Sequence, residues 1–265
     1  MPTTTTVDGV AIHHQTVGQG RDLVLIHGIS DSSATWGPVT ELFAEHYRVT
    51  TLDLRGMGES GDAADYGSVG MARDVAAVVA AAAVTVPLVV GHSLGAVVAT
   101  AYASQAPVRG VVNVDQPLRL SDFQASLLQI EPLLRDPDSF AVVLRAMFDG
   151  MDGALLTDDV KEHIVGCRRQ RQEVVLGVWD EVLFTSVADL DAMIASLTST
   201  ITAAYLAVHF IDLGPDYPVW LTGLIQHAVV ETWSTDAAMS PIGYGHYGHR
   251  VDPQRFVERV IAFDQ

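Results

Sequence analysis

A mostly parallel β-sheet flanked by helices, with an all-helical insertion, is the α/β architecture this sequence predicts. Three observations predict it. Short β-branched runs alternate with longer Ala-rich runs through the first 116 residues, the pattern of strand–helix–strand units that build a parallel sheet. Residues 86–90 are continuously apolar, as a strand buried on both faces must be. From Pro117 to about Ser199 helical periodicity replaces strand character. The division expected is a core of residues 1–116 and 200–265, with a helical cap over 117–199.

The elements follow in order. Residues 10–17 and 22–27 read as strands, 34–46 as a helix and 47–53 as a third strand. A long Ala-rich helix covers 68–85. The strand at 86–90 is bounded by Pro87 near its start and Gly91 at its end, and a helix over 94–105 follows it. Residues 108–114 form another buried strand. The insertion then carries helical spacing at 123–134, 139–148, 158–170, 173–184 and 190–197. Strand character returns at 203–211 and 227–233, and a helix over 253–263 closes the chain. No internal repeat of solenoid or propeller period occurs.

Composition narrows the function classes. The chain has 265 residues, 49% of them hydrophobic, enough for one large core with an inserted subdomain. Its formal net charge is −17 and its pI near 4.7. Such a surface repels phosphate backbones and anionic headgroups, so neither nucleic acid nor membrane is expected as a partner. The partner expected is a small apolar acyl substrate, and a homodimer is allowed. Cys167 is the only cysteine, so no intrachain disulfide and no zinc pattern exist. Residues 1–6 lack a basic patch and an apolar run, and the apolar stretch 75–84 is too short to span a bilayer. A cytoplasmic protein is expected.

The chemistry is carried by Gly91-His92-Ser93-Leu94-Gly95, a G-x-S-x-G pattern with a buried strand before it and a helix after it. Side chains at Gly91 and Gly95 would collide with neighbouring chain. The turn lifts the Ser93 hydroxyl to a helix N-terminus, where the macrodipole favours developing negative charge. A serine needs a base. His246, in Gly243-Tyr244-Gly245-His246-Tyr247-Gly248-His249, follows the last strand and precedes the last helix, which suits it for that role. His249 is expected to support the loop, and His27 to shape the loop after its strand. His13 and His14 read as surface residues of the first strand, and His46 and His163 as solvated. Two backbone N–H groups are needed for an oxyanion hole; those of Leu94 and Ile29 are the natural donors.

Four motifs in order resemble the α/β-hydrolase fold over nearly the whole chain. Leu25-Ile26-His27-Gly28 with Trp36 is similar to its oxyanion loop and first core helix. Asp53-Leu54-Arg55-Gly56-Met57-Gly58-Glu59-Ser60 resembles its D-x-R-G-x-G-x-S turn, in which Asp53 and Arg55 are structural. The nucleophile elbow comes third. Gly245-His246-Tyr247 with Asp252-Pro253 and Phe256 resembles the histidine loop and closing helix. The resemblance implies a Ser–acid–His triad and no metal or organic cofactor. Serine at the elbow argues against dehalogenase and epoxide hydrolase chemistry, which need aspartate there.

The acid departs from the family pattern. Phe210 stands where a glycine usually ends the strand. Asp212 is best placed by register; Asp216 follows Gly214-Pro215, and Asp115 ends the preceding strand. Residues 234–244 form a longer link to the histidine than is usual. The reaction expected is hydrolysis of a small or medium carboxylic ester or lactone through an acyl-enzyme. The same fold also hosts C–C bond and amide hydrolysis, acyl transfer, perhydrolysis and non-turnover ligand receptors. In the cap, Met147, Phe148, Met151, Trp179, Leu183 and Phe184 are expected to pack on the core and in part to line a pocket. Arg168, Arg169 and Arg171 are expected on a solvated helix face.

Overall fold

The computed structural model describes residues 3–6, 8–233 and 243–265. In chain order the elements are β1 (Thr3–Thr5), β2 (Ala11–Gly18), β3 (Arg21–Ile26), α1 (Pro38–Ala44), β4 (Tyr47–Leu52), α2 (Ser68–Ala81), β5 (Leu88–His92), α3 (Leu94–Ala103) and β6 (Gly110–Val114). Five helices follow: α4 (Ser121–Arg135), α5 (Pro137–Met151), α6 (Asp158–Cys167), α7 (Gln172–Leu183) and α8 (Val187–Thr198). The chain returns to the sheet with β7 (Ala204–His209), α9 (Asp216–Leu224), β8 (Ala228–Thr232), α10 (Gly248–Val251) and α11 (Pro253–Phe263).

The strands form one sheet in the order β1-β2-β4-β3-β5-β6-β7-β8. β1 and β2 pair antiparallel, as do β2 and β4; every other pair is parallel. The α/β fold expected from the sequence is the fold observed.

Successive strand residues point to opposite faces, and two cores result. Val24, Ile26, Val89, Val111 and Tyr205 pack under α2, α3 and the inserted helices. Leu23, Leu25, Leu88, Val90, Val112 and Val208 pack on the other face against α1 and α11. Such two-sided burial accounts for the unbroken apolar runs in the central strands.

Four local expectations change. The helix expected over 34–46 is broken: a 3-10 turn over Ser33–Trp36 stops at Gly37, which has φ of 50°, and α1 begins at Pro38. Proline is favourable at a first helical position, and glycine alone takes that backbone angle freely. Helix α9 was not foreseen; it buries Tyr217 and Leu221. β1 was not foreseen either. The helix expected over 158–170 ends at Cys167, and Arg168 is extended. Most of the long link at 234–244 lies outside the described residues. Among the described residues, no helix is long and apolar enough to cross a membrane.

Candidate active site

Ser93 lies at the turn between β5 and α3 with φ of 53° and ψ of −126°. A non-glycine residue holds that conformation only where its surroundings enforce it, at a cost of roughly 1–3 kcal/mol. The enforcement is steric and hydrogen-bonded. A Cβ on Gly91 would sit 2.6 Å from the Ala96 nitrogen, and one on Gly95 2.6 Å from the His27 carbonyl. Ser93 N–H donates to the Val114 carbonyl at 3.0 Å, which ties the elbow to β6.

The loop after β3 closes against this turn. A Cβ on Gly28 would lie 3.1 Å from the Ser93 Cβ. His27 fixes the loop: its Nδ1–H donates to the Gly28 carbonyl at 2.7 Å, and its Nε2 accepts from Leu54 N–H at 3.0 Å. This is the shaping role expected for it. Ile29 and Leu94 both face the cavity that Ser93 lines. Leu94 opens α3, so its N–H has no partner within the helix.

His246 follows Gly245, and its N–H donates to the Met151 carbonyl at 2.9 Å. Its Nδ1–H donates to Asp115 Oδ2 at 2.7 Å. Asp115 directly follows β6 and has φ of 54°. Its other oxygen accepts the Phe210 N–H at 2.8 Å, and its own N–H donates to the Val208 carbonyl at 2.8 Å. The side chains of Asp115 and His246 are 5% and 13% exposed, so water competes little for this bond.

The expectation that Asp212 meets the histidine differs from the observed geometry. Asp212 is exposed, and its Oδ1 accepts the Gly214 N–H at 2.8 Å in a local turn. Phe210 is the reason. Its ring is buried against Trp233 and Tyr244, and a Cβ on Gly248 would overlap it. With Phe210 held inward, the chain runs outward through Ile211, which is 40% exposed. Asp216 opens α9. Of Asp115, Asp212 and Asp216, Asp115 alone is bonded to His246.

Ser93, Asp115, His246, Ile29 and Leu94 share one cavity of about 520 Å³. Much of the rest of its wall is apolar and comes from the helices between β6 and β7, among them Phe123, Met147, Phe148, Met151, Val178 and Trp179, while Arg119, Asp122, Glu181 and Asp212 also line it. Leu183 is buried in the core, while Phe184 is 71% exposed under the Arg135 guanidinium. Ser93 and His246 line the cavity together without a direct hydrogen bond between their side chains. Such bonds commonly tighten only when substrate is bound.

His92, inside the elbow motif, had no role assigned from sequence. It is buried, and its Nε2–H donates to the His246 carbonyl at 2.9 Å. Its ring lies tilted against those of His246, Tyr247 and His249. Burial holds the His92 imidazole well below its usual range, so the ring is neutral. His249 is held low by the same cause and supports the loop as expected. His13 and His14 are buried rather than superficial; His13 bonds Asp53 at 3.1 Å. Arg55 is paired with Asp74 in the interior. The side chain of Arg168 is only 5% exposed, against expectation, while Arg169 is exposed.

Comparison with known proteins gives a consistent picture. The model of the alpha/beta hydrolase family matches residues 23–259. A pimeloyl-[acyl-carrier protein] methyl ester esterase of Aliivibrio salmonicida (strain LFI1238) is 42% identical over 99 residues, 37% of this chain and 36% of that one. The N-formylmaleamate deformylase of Pseudomonas putida is 38% identical over 105 residues, 38% of this chain and 39% of that one. These matches thus span less than two-fifths of each curated relative. Among solved structures, Est816, described as an N-acyl homoserine lactone degrading enzyme, superposes with a TM-score of 0.73 at 23% identity, covering 99% of this chain and all of that one. A hydrolase from Pseudomonas aeruginosa PA01 superposes with a TM-score of 0.79 at 20% identity, covering 99% and 97%. At such identities the structural likeness concerns the fold.

Proposed function

Because this chain belongs to the alpha/beta hydrolase family, we propose that it is a serine hydrolase cleaving a small or medium carboxylic ester or lactone, with Ser93, Asp115 and His246 as its triad. The observation that carries this reading is the buried Asp115–His246 hydrogen bond, at the wall of the cavity that also receives Ser93. The esterase and deformylase relatives support the hydrolase class.

The steps follow from the groups present. His246 Nε2 takes the Ser93 proton as Oγ bonds the acyl carbon, and the carbonyl π pair moves onto oxygen. The Ile29 and Leu94 amides receive that oxyanion. Asp115 fixes the tautomer with the proton on Nδ1 and stabilises the imidazolium. The oxyanion collapses, the C–O bond to the leaving alcohol breaks, and His246 returns the proton to it. Water then repeats the sequence on the acyl-enzyme, releasing the acid and restoring Ser93. The mostly apolar cavity suits an uncharged acyl chain.

The test is turnover of short and medium p-nitrophenyl esters and of acyl lactones, together with labelling by a fluorophosphonate probe. Ser93→Ala is expected to abolish both labelling and turnover. A wild-type protein that neither turns over such substrates nor labels at Ser93 refutes the reading.

A further inference from the structure

The connector between α6 and α7 brings one guanidinium into the interior. Arg168 Nη2 donates to the Tyr247 hydroxyl at 3.0 Å, and Arg168 Nε lies 3.5 Å from Asp31 Oδ1. The Tyr247 hydroxyl in turn donates to Asp31 Oδ2 at 3.1 Å. The side chains of Arg168 and Asp31 are 5% and 1% exposed, and Tyr247 is buried. The guanidinium also lies over the Phe148 ring, 4.2 Å from its centroid. The next residue repeats the link through the backbone: Arg169 N–H donates to the Ser30 carbonyl at 2.7 Å.

The positions of these partners matter. Tyr247 is the residue after His246. Asp31 lies two residues after Ile29. Phe148 is part of the cavity wall. One cation from the inserted segment therefore touches the loop of the base, the loop of an oxyanion donor and the wall of the substrate cavity. A structural ion pair holding a helix to the core would need only one of these contacts.

We propose that Arg168 is a positioning residue, which fixes the separation between the His246 loop and the Ile29 loop and registers both against the Phe148 wall. The catalytic part of this inference rests on the hydrolase reading above. The physical reason is the shape of the group. A planar fork can donate to Tyr247 and pair with Asp31 from one edge while its face covers Phe148; an ammonium is a point charge and makes fewer of these contacts at once. Removing the cation strands the buried Asp31 carboxylate, whose pKa burial already raises against the pull of Arg168. The loops must then part or admit water. A displacement of about 1 Å between base and oxyanion donors is enough to cost about 100-fold in rate.

The experiment compares wild type with Arg168→Met, Arg168→Lys, Tyr247→Phe and the exposed control Arg145→Met. Two readouts are taken: kcat and KM for a p-nitrophenyl ester, and hydrogen exchange of peptides covering 28–31, 245–249 and the strands β5 and β6. For Arg168→Met we expect kcat to fall about 100-fold with KM within about threefold. Exchange should quicken about tenfold in 28–31 and 245–249 together, with β5 and β6 unchanged. Arg168→Lys should recover only part of kcat, and Arg145→Met should match wild type. If Arg168→Met does not fold, Tyr247→Phe decides, since it breaks the link without stranding a charge; its kcat should fall about tenfold with KM retained. A kcat within threefold of wild type, a loss confined to KM, or faster exchange throughout the core overturns the proposal. Turnover and Ser93 labelling of the wild type judge the hydrolase reading separately. The exchange comparison needs no substrate, so without turnover it alone sustains or overturns the loop clamp.

Discussion

Asp115 meets two demands with one side chain. One carboxylate oxygen accepts from the histidine, and the other accepts the Phe210 N–H that anchors the end of β7. An amide at this position can satisfy one donor but presents its own N–H to the other. Asp115→Asn is therefore expected to lower kcat/KM by about 10³–10⁴-fold, as losing the tautomer-fixing acid does elsewhere. Asp212→Asn and Asp216→Asn should stay within a few-fold, and steady-state kinetics on the three variants checks this. At this scale the sharp turn that carries Ser93 was legible, because G-x-S-x-G specifies backbone geometry as well as residue type. The position of His246 was legible as well, between the last strand and the last helix, although His249 three residues on also follows a glycine. The carboxylate bonded to His246 was not legible, because a carboxylate can reach the imidazole from either of two adjacent strand ends, and one-dimensional register does not choose between them. Phe210 in place of glycine was the available signal.

The histidine loop and the end of α5 act as one element. His246 N–H donates to the Met151 carbonyl, and Leu155 N–H to the Gly243 carbonyl at 3.0 Å. Asp152 and Gly245 form an isolated antiparallel bridge. The two backbones approach so closely that a Cβ on Gly245 would sit 2.5 Å from the Gly153 Cα, and Gly245 has φ of 60°. Gly245→Ala must therefore push 151–155 away. It is expected to reduce kcat at least about tenfold, because the position of His246, the base of the proposed reaction, is lost along with contact. The thermal midpoint should fall by only a few degrees. Parallel kinetics and melting curves separate the two effects. Helix and strand types were legible wherever the apolar period ran long, as in α2, α3 and β5. Boundaries failed where one residue intervened: Gly37 split the first helix, and α9 began directly after Gly214-Pro215, a pair that marks a turn.

At the scale of the whole molecule, burial pushes several interior imidazoles towards the neutral form. His14, His92, His209 and His249 are all held below their usual range, chiefly by burial. For His209 the value falls to about 4 from 6.5, and neither ring nitrogen has a partner among the described residues. The unfolded chain takes up this proton near pH 6.5, and the folded chain only near 4. Stability supplied by the neutral ring is therefore complete above 6.5 and lost as pH falls towards 4, by about 3 kcal/mol for this group. His209→Leu should leave the pH 7 unfolding free energy within about 1 kcal/mol, since no bond is broken, and should flatten the acid limb between pH 6.5 and 4. Denaturant unfolding at several pH values measures both. Such coupling was not visible in the sequence, where strand histidines look the same whether they face solvent or core. The backbone join between 151–155 and 243–246 has a further consequence for modularity. The inserted helices cannot be exchanged like a detachable part. A chimera that imports another family member's helices and omits this short join would carry Ser93 unchanged yet misplace His246. Recombination or grafting must move the two segments as a pair.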